Sequence, residues 1–391
     1  MTKPNDLVTP VDVVIVGAGI VGLAHAARAV DRGLTVAVIE RDEHAVGASV
    51  RNFGHCCITG QSGELYDLAM NGRRHWLDYA TKAGFTAAET GALVVARTDI
   101  EMQVLRELGR SREPGQITLL PSDDVVSHLQ ARGGQPDPRI IGGAFLRDDL
   151  RVDPRTTVHR LAAWLAGQGV TFHWKTSALG FADGAVHTSR GAVTGDHVIV
   201  CVGHDLDYLF PEAAADHRIQ RCTLQMSRAM PEAGLDLTPA VLTGTSMLRY
   251  GAFASMPSAD ALQADADPLL QQIGANVMFT QQPDGSLLLG DSHSYQHTAA
   301  PFLAESIAER LNQEISALLG IELAVAERWQ GVYASSDAGP LFVEEVQRGV
   351  TAVSVTSGVG MTVSFGLAER TLESMYPSEL YLNQSVLVRN P

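Results

Sequence analysis

The chain opens with a nearly continuous apolar run, Val11-Asp12-Val13-Val14-Ile15-Val16, whose length and composition predict a strand buried on both faces. It leads into Gly17-Ala18-Gly19-Ile20-Val21-Gly22 and a helical pattern, after which a second apolar strand, Thr35 to Ile39, ends on Glu40-Arg41. A loop from Arg41 to Gln61 follows. Leu65, Leu68, Ala69, Trp76, Leu77, Tyr79 and Ala80 then recur at helical spacing and predict a helix from Gly63 to about Ala83. The pattern is less regular over residues 86–150. Asp153-Pro154 supplies an N-cap and a first-turn proline for a helix ending near Gly167 and Gly169, with Val170 to Trp174 as the next strand. Asp196 to Gly203 is another apolar strand that runs into glycine.

From about Arg218 the alternation becomes that of strands with one buried face. Gln220 to Met226, Met247 to Phe253, and Val277 to Gln282 turning through Pro283-Asp284-Gly285 into Leu287 to Leu289 predict an antiparallel sheet. A helix is predicted from Pro301 to Leu319, closed by Gly320. Val350 to Val355 is a β-branched strand followed by Ser357-Gly358-Val359-Gly360-Met361-Thr362 and a helix to about Tyr376. This last strand, glycine turn and helix repeat the design of the N-terminal unit, so the chain is expected to return to its first domain. The expected fold class is α/β with α+β: a discontinuous Rossmann-like domain (1–85, 151–215 and 328–391) and an antiparallel-sheet domain (86–150 and 216–327).

The N-terminal unit has a chemical meaning. Gly17 permits a tight turn off the strand, Gly19 lets backbone approach a pyrophosphate, and Gly22 lets the helix lie close to the sheet. The phosphates would then meet free N–H groups at the helix N-terminus. Glu40, eighteen residues past Gly22, is placed to accept ribose hydroxyls and would repel a 2′-phosphate. An unphosphorylated dinucleotide, FAD or NAD, is the expected cofactor.

The 391 residues are 45% hydrophobic and carry a formal net charge of -15, which argues against nucleic acid or an anionic membrane as partner. Only Lys3, Lys82 and Lys175 are lysines, so a buried cation is expected to be Arg or His. Cys56, Cys57, Cys201 and Cys222 form no CxxC pair or metal-ligand spacing, and read as reduced thiols of a cytoplasmic protein with no metal centre. Met1 to Pro10 lacks the pattern of a secretory leader. The longest apolar stretch, Val11 to Val30, carries Asp12, His25 and Arg28 and is not read as a membrane span.

Several segments together resemble the D-amino acid oxidase-like superfamily of FAD amine oxidases, which includes glycine oxidase and sarcosine oxidase. These are GAGIVG with Glu40, GASVRNFG (Gly47 to Gly54), DHVIVCVG, LLLGDSHSY (Leu287 to Tyr295), RWQGVYA (Arg328 to Ala334) and SGVGMTVSFGLAE (Ser357 to Glu369). The wording of GELYDLA, RVDPR, RCTLQMSR and ERWQGVYA is similar to a narrower subgroup proposed to act in 2-aminoethylphosphonate catabolism. Two departures stand out: His55-Cys56-Cys57-Ile58-Thr59 replaces a bulky apolar stretch, and Thr223 stands where the subgroup commonly has Lys.

The resemblance implies FAD as cofactor and oxidation of a small amine, with hydride passing to flavin N5 and O2 or another acceptor reoxidising the flavin. An aminoalkylphosphonate, its N-methyl form or an amino acid would be the substrate. The implied cofactor residues are Gly17, Gly19, Ile20, Val21, Gly22, Glu40, Arg41, Ser49, Arg51, Asn52, Gly54, His55, Gly203, Arg328, Gly331, Gly358, Gly360, Met361 and Thr362. Arg51 would neutralise phosphate, and the turn at Gly358 and Gly360 would face the flavin N1–C2=O edge. His55 is expected above the flavin. Since neither it nor the adjacent cysteines stand in an attachment motif of the superfamily, noncovalent FAD is expected.

An anionic substrate requires a cation inside the cavity. Arg221, Arg249 and Arg328 are the candidates, with His293, Tyr250 and Tyr333 as hydrogen-bonding neighbours. Arg249 is preferred because Met247, Arg249 and Gly251 share one face of the predicted strand. Two rival readings share the dinucleotide motif: an NAD(P)H-using flavin monooxygenase, and a flavin-binding sensor or accessory subunit without catalysis.

Overall fold

A computed structural model describes residues 10–129, 134–182, 184–231 and 234–377. The readings placed on Lys3, on the rest of the first nine positions and on residues 378–391 lie outside the described residues. Among the described residues, no helix is long and apolar enough to cross a membrane.

The apolar runs become the parallel centre of an eight-stranded sheet. Its strands lie in the order Thr171–His173, Val36–Ile39, Val11–Val16, Gly191–Val200 and Val350–Val355. Val14, at 0% exposure, pairs with Ala37 on one side and Val198 on the other, as a strand buried on both faces must. The C-terminal strand joins the same sheet through Val198 and Val350. The chain therefore does return to its starting sheet. Leu341–Gln347 adds an antiparallel edge, and the pair Ala178–Ala182 and Ala185–Thr188 extends the other side of Gly191–Val200.

Three helices pack under this sheet: Ile20–Asp31, Gly63–Ala83 and Gly360–Met375. The last two meet at glycines, where a Cβ on Gly366 would sit 2.1 Å from the Leu68 carbonyl oxygen. That close approach lets Trp76, Tyr79 and Phe365 bury completely as one aromatic cluster. Asp153 caps Pro154–Gly167 as its sequence predicts, accepting from the Arg155 N–H at 3.0 Å.

The second sheet has nine strands and is antiparallel except where Ala240–Leu242 runs parallel to Ala92–Ala96. Its longest ladder joins Gln220–Pro231 to Leu323–Ser335. Residues 328–335, assigned from sequence to the first domain, thus hydrogen-bond within the second sheet. The irregular region 86–150 supplies three of its strands, Ala92–Ala96, Ile117–Pro121 and Gly142–Leu146. A small third sheet, His55–Cys56, Leu150–Val152 and Ala87–Ala88, lies between them in the chain's course.

Two expected elements differ. Met247 to Phe253 is not a strand but two short helices, Gly244–Met247 and Gly251–Ala254. Thr243 and Ser246 form a capping box that commits the first turn to helix, and Met247 and Phe253 point into the core from separate turns. The apparent alternation there is incidental. The helix expected from Pro301 begins instead at Glu305, after an extended Ala304.

Candidate functional site

One cleft of about 500 Å³ runs from the first glycine turn to the second sheet. Its upper half is built on the Ile20–Asp31 helix N-terminus. Gly17 takes φ 106°, and a Cβ on Gly22 would lie 1.9 Å from the Gly17 carbonyl oxygen, so this turn closes only around glycine. Gly17, Gly19, Ile20 and Val21 line the cleft, whereas Gly22 lies behind them as a packing residue. Glu40, at the end of its strand, lines the cleft too; its carboxylate accepts the Ala18 N–H at 2.8 Å and the Asp42 N–H at 3.1 Å. Arg41 reaches across to Asp205 at 2.7 Å, beside the turn at Gly203.

The loop after this unit closes one wall. The Ser49 hydroxyl accepts the Ile20 N–H at 2.9 Å, which ties the loop to the helix start. Arg51 donates to the Gln330 carbonyl at 3.2 Å and Asn52 caps its own loop, accepting the Gly54 N–H at 2.8 Å; both line the cleft. Gly54 does not line it. Its place is against Val152, whose carbonyl oxygen would lie 2.0 Å from a Cβ there. From the other end of the chain come Gly358, Gly360, Met361 and Thr362. The Trp76 indole N–H donates to the Met361 carbonyl at 2.9 Å and the Thr362 hydroxyl accepts the Cys57 N–H at 3.1 Å, fixing this turn against the His55–Cys57 segment.

His55 is fully enclosed. Its Nε2 lies 2.8 Å from Asp149, whose other oxygen accepts the N–H groups of Ile58 and Thr59 at 3.1 and 2.7 Å, and its Nδ1 is a buried atom with no hydrogen-bond partner among the described residues. Asp149 was not recognised in the sequence, because its partners are brought to it only by the pairing of His55 with Arg151. His55, Cys57 and Asp149 hold ligand-type atoms within 4.8 Å of one another, and both oxygens of the carboxylate are already engaged by these three hydrogen bonds. Burial, with Asp149 beside them, pushes both the Cys56 and Cys57 thiols upward, which keeps them protonated.

The lower half opens onto the second sheet. Leu224, Met226 and Met278 give an apolar floor, and Arg249, Tyr250, Asn276, Asp291, His293 and Tyr333 surround it. Arg249 reaches this chamber from the turn between two short helices. Its guanidinium has a hydrogen bond to the Tyr295 hydroxyl at 3.3 Å and no carboxylate within 4.0 Å among the described residues. Burial alone would lower its pKa, but Tyr333, Tyr295 and Asp291 outweigh that and hold the group charged. His293 is pushed well below its ordinary value by burial and by Arg249, and its Nδ1–H is spent on the Gly274 carbonyl at 2.8 Å.

The other two arginines are elsewhere. Arg221 makes a bidentate pair with Asp207 at 2.9 Å and donates to the His297 carbonyl at 2.7 Å, so its donors are consumed. Arg328 pairs with Glu305 at 2.7 Å outside the cleft. Arg221 falls on the opposite parity of its strand from Leu224 and Met226, which face the cleft, and Arg328 precedes the stretch Gly331 to Ala334 of its strand that lines it. Neither is available to a ligand in the chamber.

The profile of the FAD dependent oxidoreductase (DAO) family matches residues 12–374. No curated protein matches the sequence at a significant level. Solved structures of the same fold include a glycine oxidase from Bacillus cereus ATCC 14579 (TM-score 0.74, 17% identity, 96% of this chain and 95% of that one). L-proline dehydrogenase from P. horikoshii superposes with TM-score 0.75 at 17% identity, covering 95% of this chain and 96% of that one. Iminodiacetate oxidase from Chelativorans sp. BNC1 gives 0.71 at 16%, covering 93% and 95%. At such identities the likeness is one of fold.

Proposed function

The chain belongs to the FAD dependent oxidoreductase family, and from that premise we propose that it oxidises a small amine bearing an anionic group. The family's cofactor fits this cleft. The glycine turn is packed so that a Cβ would fill it, the orphaned His55 Nδ1 has no partner among the described residues, and both line one continuous cavity. When bound, FAD accepts a hydride at N5 from the carbon bearing nitrogen, and water hydrolyses the resulting imine to an aldehyde or keto product and an amine.

The chain's own residues do the rest. Gly17, Gly19, Ile20 and Val21 would present backbone to the pyrophosphate, Glu40 would take the ribose, and Ser49, Arg51 and Asn52 would shape the phosphate wall. Gly358, Gly360, Met361 and Thr362 would meet the flavin from the N-terminus of a second helix, where the dipole favours negative charge. His55 would be oriented by Asp149. The division of labour follows the chain: the parallel-sheet domain holds the cofactor and the antiparallel sheet forms the substrate chamber.

The observation that carries the reading is Arg249, a charged guanidinium with no carboxylate partner within 4.0 Å among the described residues, facing an apolar floor in the same cleft as the dinucleotide cradle. A carboxylate or phosphonate would satisfy it. Glycine oxidase, L-proline dehydrogenase and iminodiacetate oxidase, which share the fold, are named for substrates that combine an amine with a carboxylate. An aminoalkylphosphonate or its N-methyl form is the first candidate, and O2 is the first candidate acceptor. Anaerobic bleaching of the flavin spectrum by a panel of amino acids and aminophosphonates tests this. Bleaching by an anionic amine is the expected result; a flavin that no amine reduces overturns it.

A further inference from the structure

The chamber contains a second group whose chemistry Arg249 does not explain. Asp291 is 3% exposed and lines the cleft immediately after the Leu287–Gly290 strand. Its backbone is pinned by a reciprocal pair with Asn276, each N–H donating to the other's carbonyl at 2.8 Å. Its side chain is less provided for: Oδ1 is buried and has no hydrogen-bond partner among the described residues. A buried carboxylate oxygen without a donor is costly, and the cost is recovered where a ligand supplies it.

We propose that Asp291 is the amine-side counterpart of Arg249: its carboxylate receives the substrate's ammonium group and takes one proton from it. This rests on the anionic-amine reading above. In the step, an N–H bond breaks, an O–H bond forms on the carboxylate, and the electron pair stays on nitrogen as a free lone pair. Oxidation of the neighbouring C–H then becomes possible. Bound FAD would supply the two-electron oxidant for that C–H pair, and the nitrogen lone pair freed by Asp291 would close the C=N bond of the iminium product.

The surroundings suit the role. The groups facing Asp291 are Arg249, His293, Tyr250, Tyr333, Cys222 and Asn276. His293 lies 3.7 Å away but is held neutral, and burial pushes Tyr250, Tyr333 and Cys222 upward, so these stay uncharged as well. Arg249 is the cation among them, and it stands beyond ion-pair distance. Burial raises Asp291 to about 7, with Arg249 and Asn276 pulling in the opposite direction. A carboxyl balanced there exchanges a proton with an amine near neutrality.

The test uses the FAD-loaded enzyme and its Asp291→Asn and Asp291→Glu variants. Acetate and methylphosphonate probe the anion site alone, and glycine and aminomethylphosphonate probe anion and amine together, each read by perturbation of the flavin absorbance. Asp291→Asn is expected to bind the amine-free anions within about threefold of the parent, bind the amine-bearing ones more weakly, and slow anaerobic flavin reduction at least about 100-fold at pH 7. In the parent, reduction by low amine should rise with pH through about 7, where Asp291 ionises. That limb should vanish in Asp291→Asn and return in Asp291→Glu. An Asn variant with unchanged rate and pH profile, or one that loses amine-free anions equally, overturns the proposal. If the Asn variant does not hold FAD, the parent's profile decides, and absence of the limb overturns it. Failure of the broader reading looks different: no amine bleaches the parent, and the role of Asp291 falls with it.

Discussion

The Trp76 indole N–H, fully buried in the Gly63–Ala83 helix, donates to the carbonyl of Met361 at 2.9 Å in the first turn of the Gly360–Met375 helix. One long helix thereby holds the backbone of the C-terminal turn that lines the cleft. Trp76→Phe keeps most of the ring but leaves that carbonyl without its donor. A loss of about 1–3 kcal/mol in unfolding free energy is expected, with weaker retention of FAD. Denaturant titration and flavin content measure the two effects.

The glycine turn makes a sharper demand. At Gly22 a methyl group would overlap the Gly17 carbonyl oxygen at 1.9 Å, which only backbone movement can relieve. At Gly19 the obstruction is milder, 3.2 Å from the Ser49 hydroxyl, but it occurs on the surface facing the cleft. Gly22→Ala is therefore expected to lower both stability and flavin content. Gly19→Val should lower flavin content first, as should Glu40→Ala, read as absorbance of the purified protein at the flavin band.

The three arginines should separate in a binding experiment. Arg249→Met is expected to raise the dissociation constant of an anionic amine by about 30- to 1000-fold, the equivalent of about 2–4 kcal/mol for a charge-assisted contact. FAD content should not change. Arg328→Met should leave substrate affinity alone, since its partner is Glu305. Arg221→Met should also spare affinity but cost stability, because it strips the donors from Asp207 and the His297 carbonyl. Equal effects from all three would contradict this assignment.

Much of this arrangement is readable in the sequence wherever backbone sterics or short-range capping decide the outcome. Gly17 to Gly22, Asp153-Pro154 and the Gly63–Ala83 helix form where expected because each signal is local. Met247 to Phe253 reads wrongly because the Thr243 capping box lies just outside the apparent alternation. Arg221 is misjudged because its acceptors, Asp207 and the His297 carbonyl, are far from one another along the chain. Asp291 stands in the LLLGDSHSY segment that carries the resemblance, but the role proposed for it is not legible there, because an unpartnered oxygen leaves no sequence pattern.

Acid should weaken one helix-to-helix contact in a specific way. Glu369 receives hydrogen bonds from Arg28 and from Arg32, the latter at 2.9 Å, linking the last long helix to the first. Burial alone would raise its pKa, but these two guanidinium groups prevail and hold it at about 2. Because the folded value lies below the unfolded one, the stabilisation is present above the ordinary glutamate value of 4.5 and is lost as pH falls toward 2. The stability gap between the parent and Glu369→Gln should narrow steadily over that interval, measured by denaturant unfolding. A gap independent of pH would refute the linkage.

The covalent question can be settled chemically. His55 is hydrogen-bonded to Asp149, and the neighbouring thiols are kept protonated. Acid precipitation is expected to leave the flavin in the supernatant, and a fluorescent pellet would show the opposite.

Tyr333 rests against the turn before the last long helix so closely that a Cβ on Gly358 would come within 2.8 Å of its ring. The strand carrying that ring belongs to the sheet beneath the small-molecule chamber, and Ser335 on the same strand bridges to Ser357. Whatever settles the chamber also settles the cofactor's seat. Any change that occupancy of one compartment makes to affinity in the other must be returned by an equal factor in the opposite direction, because binding free energies around a closed cycle sum to zero.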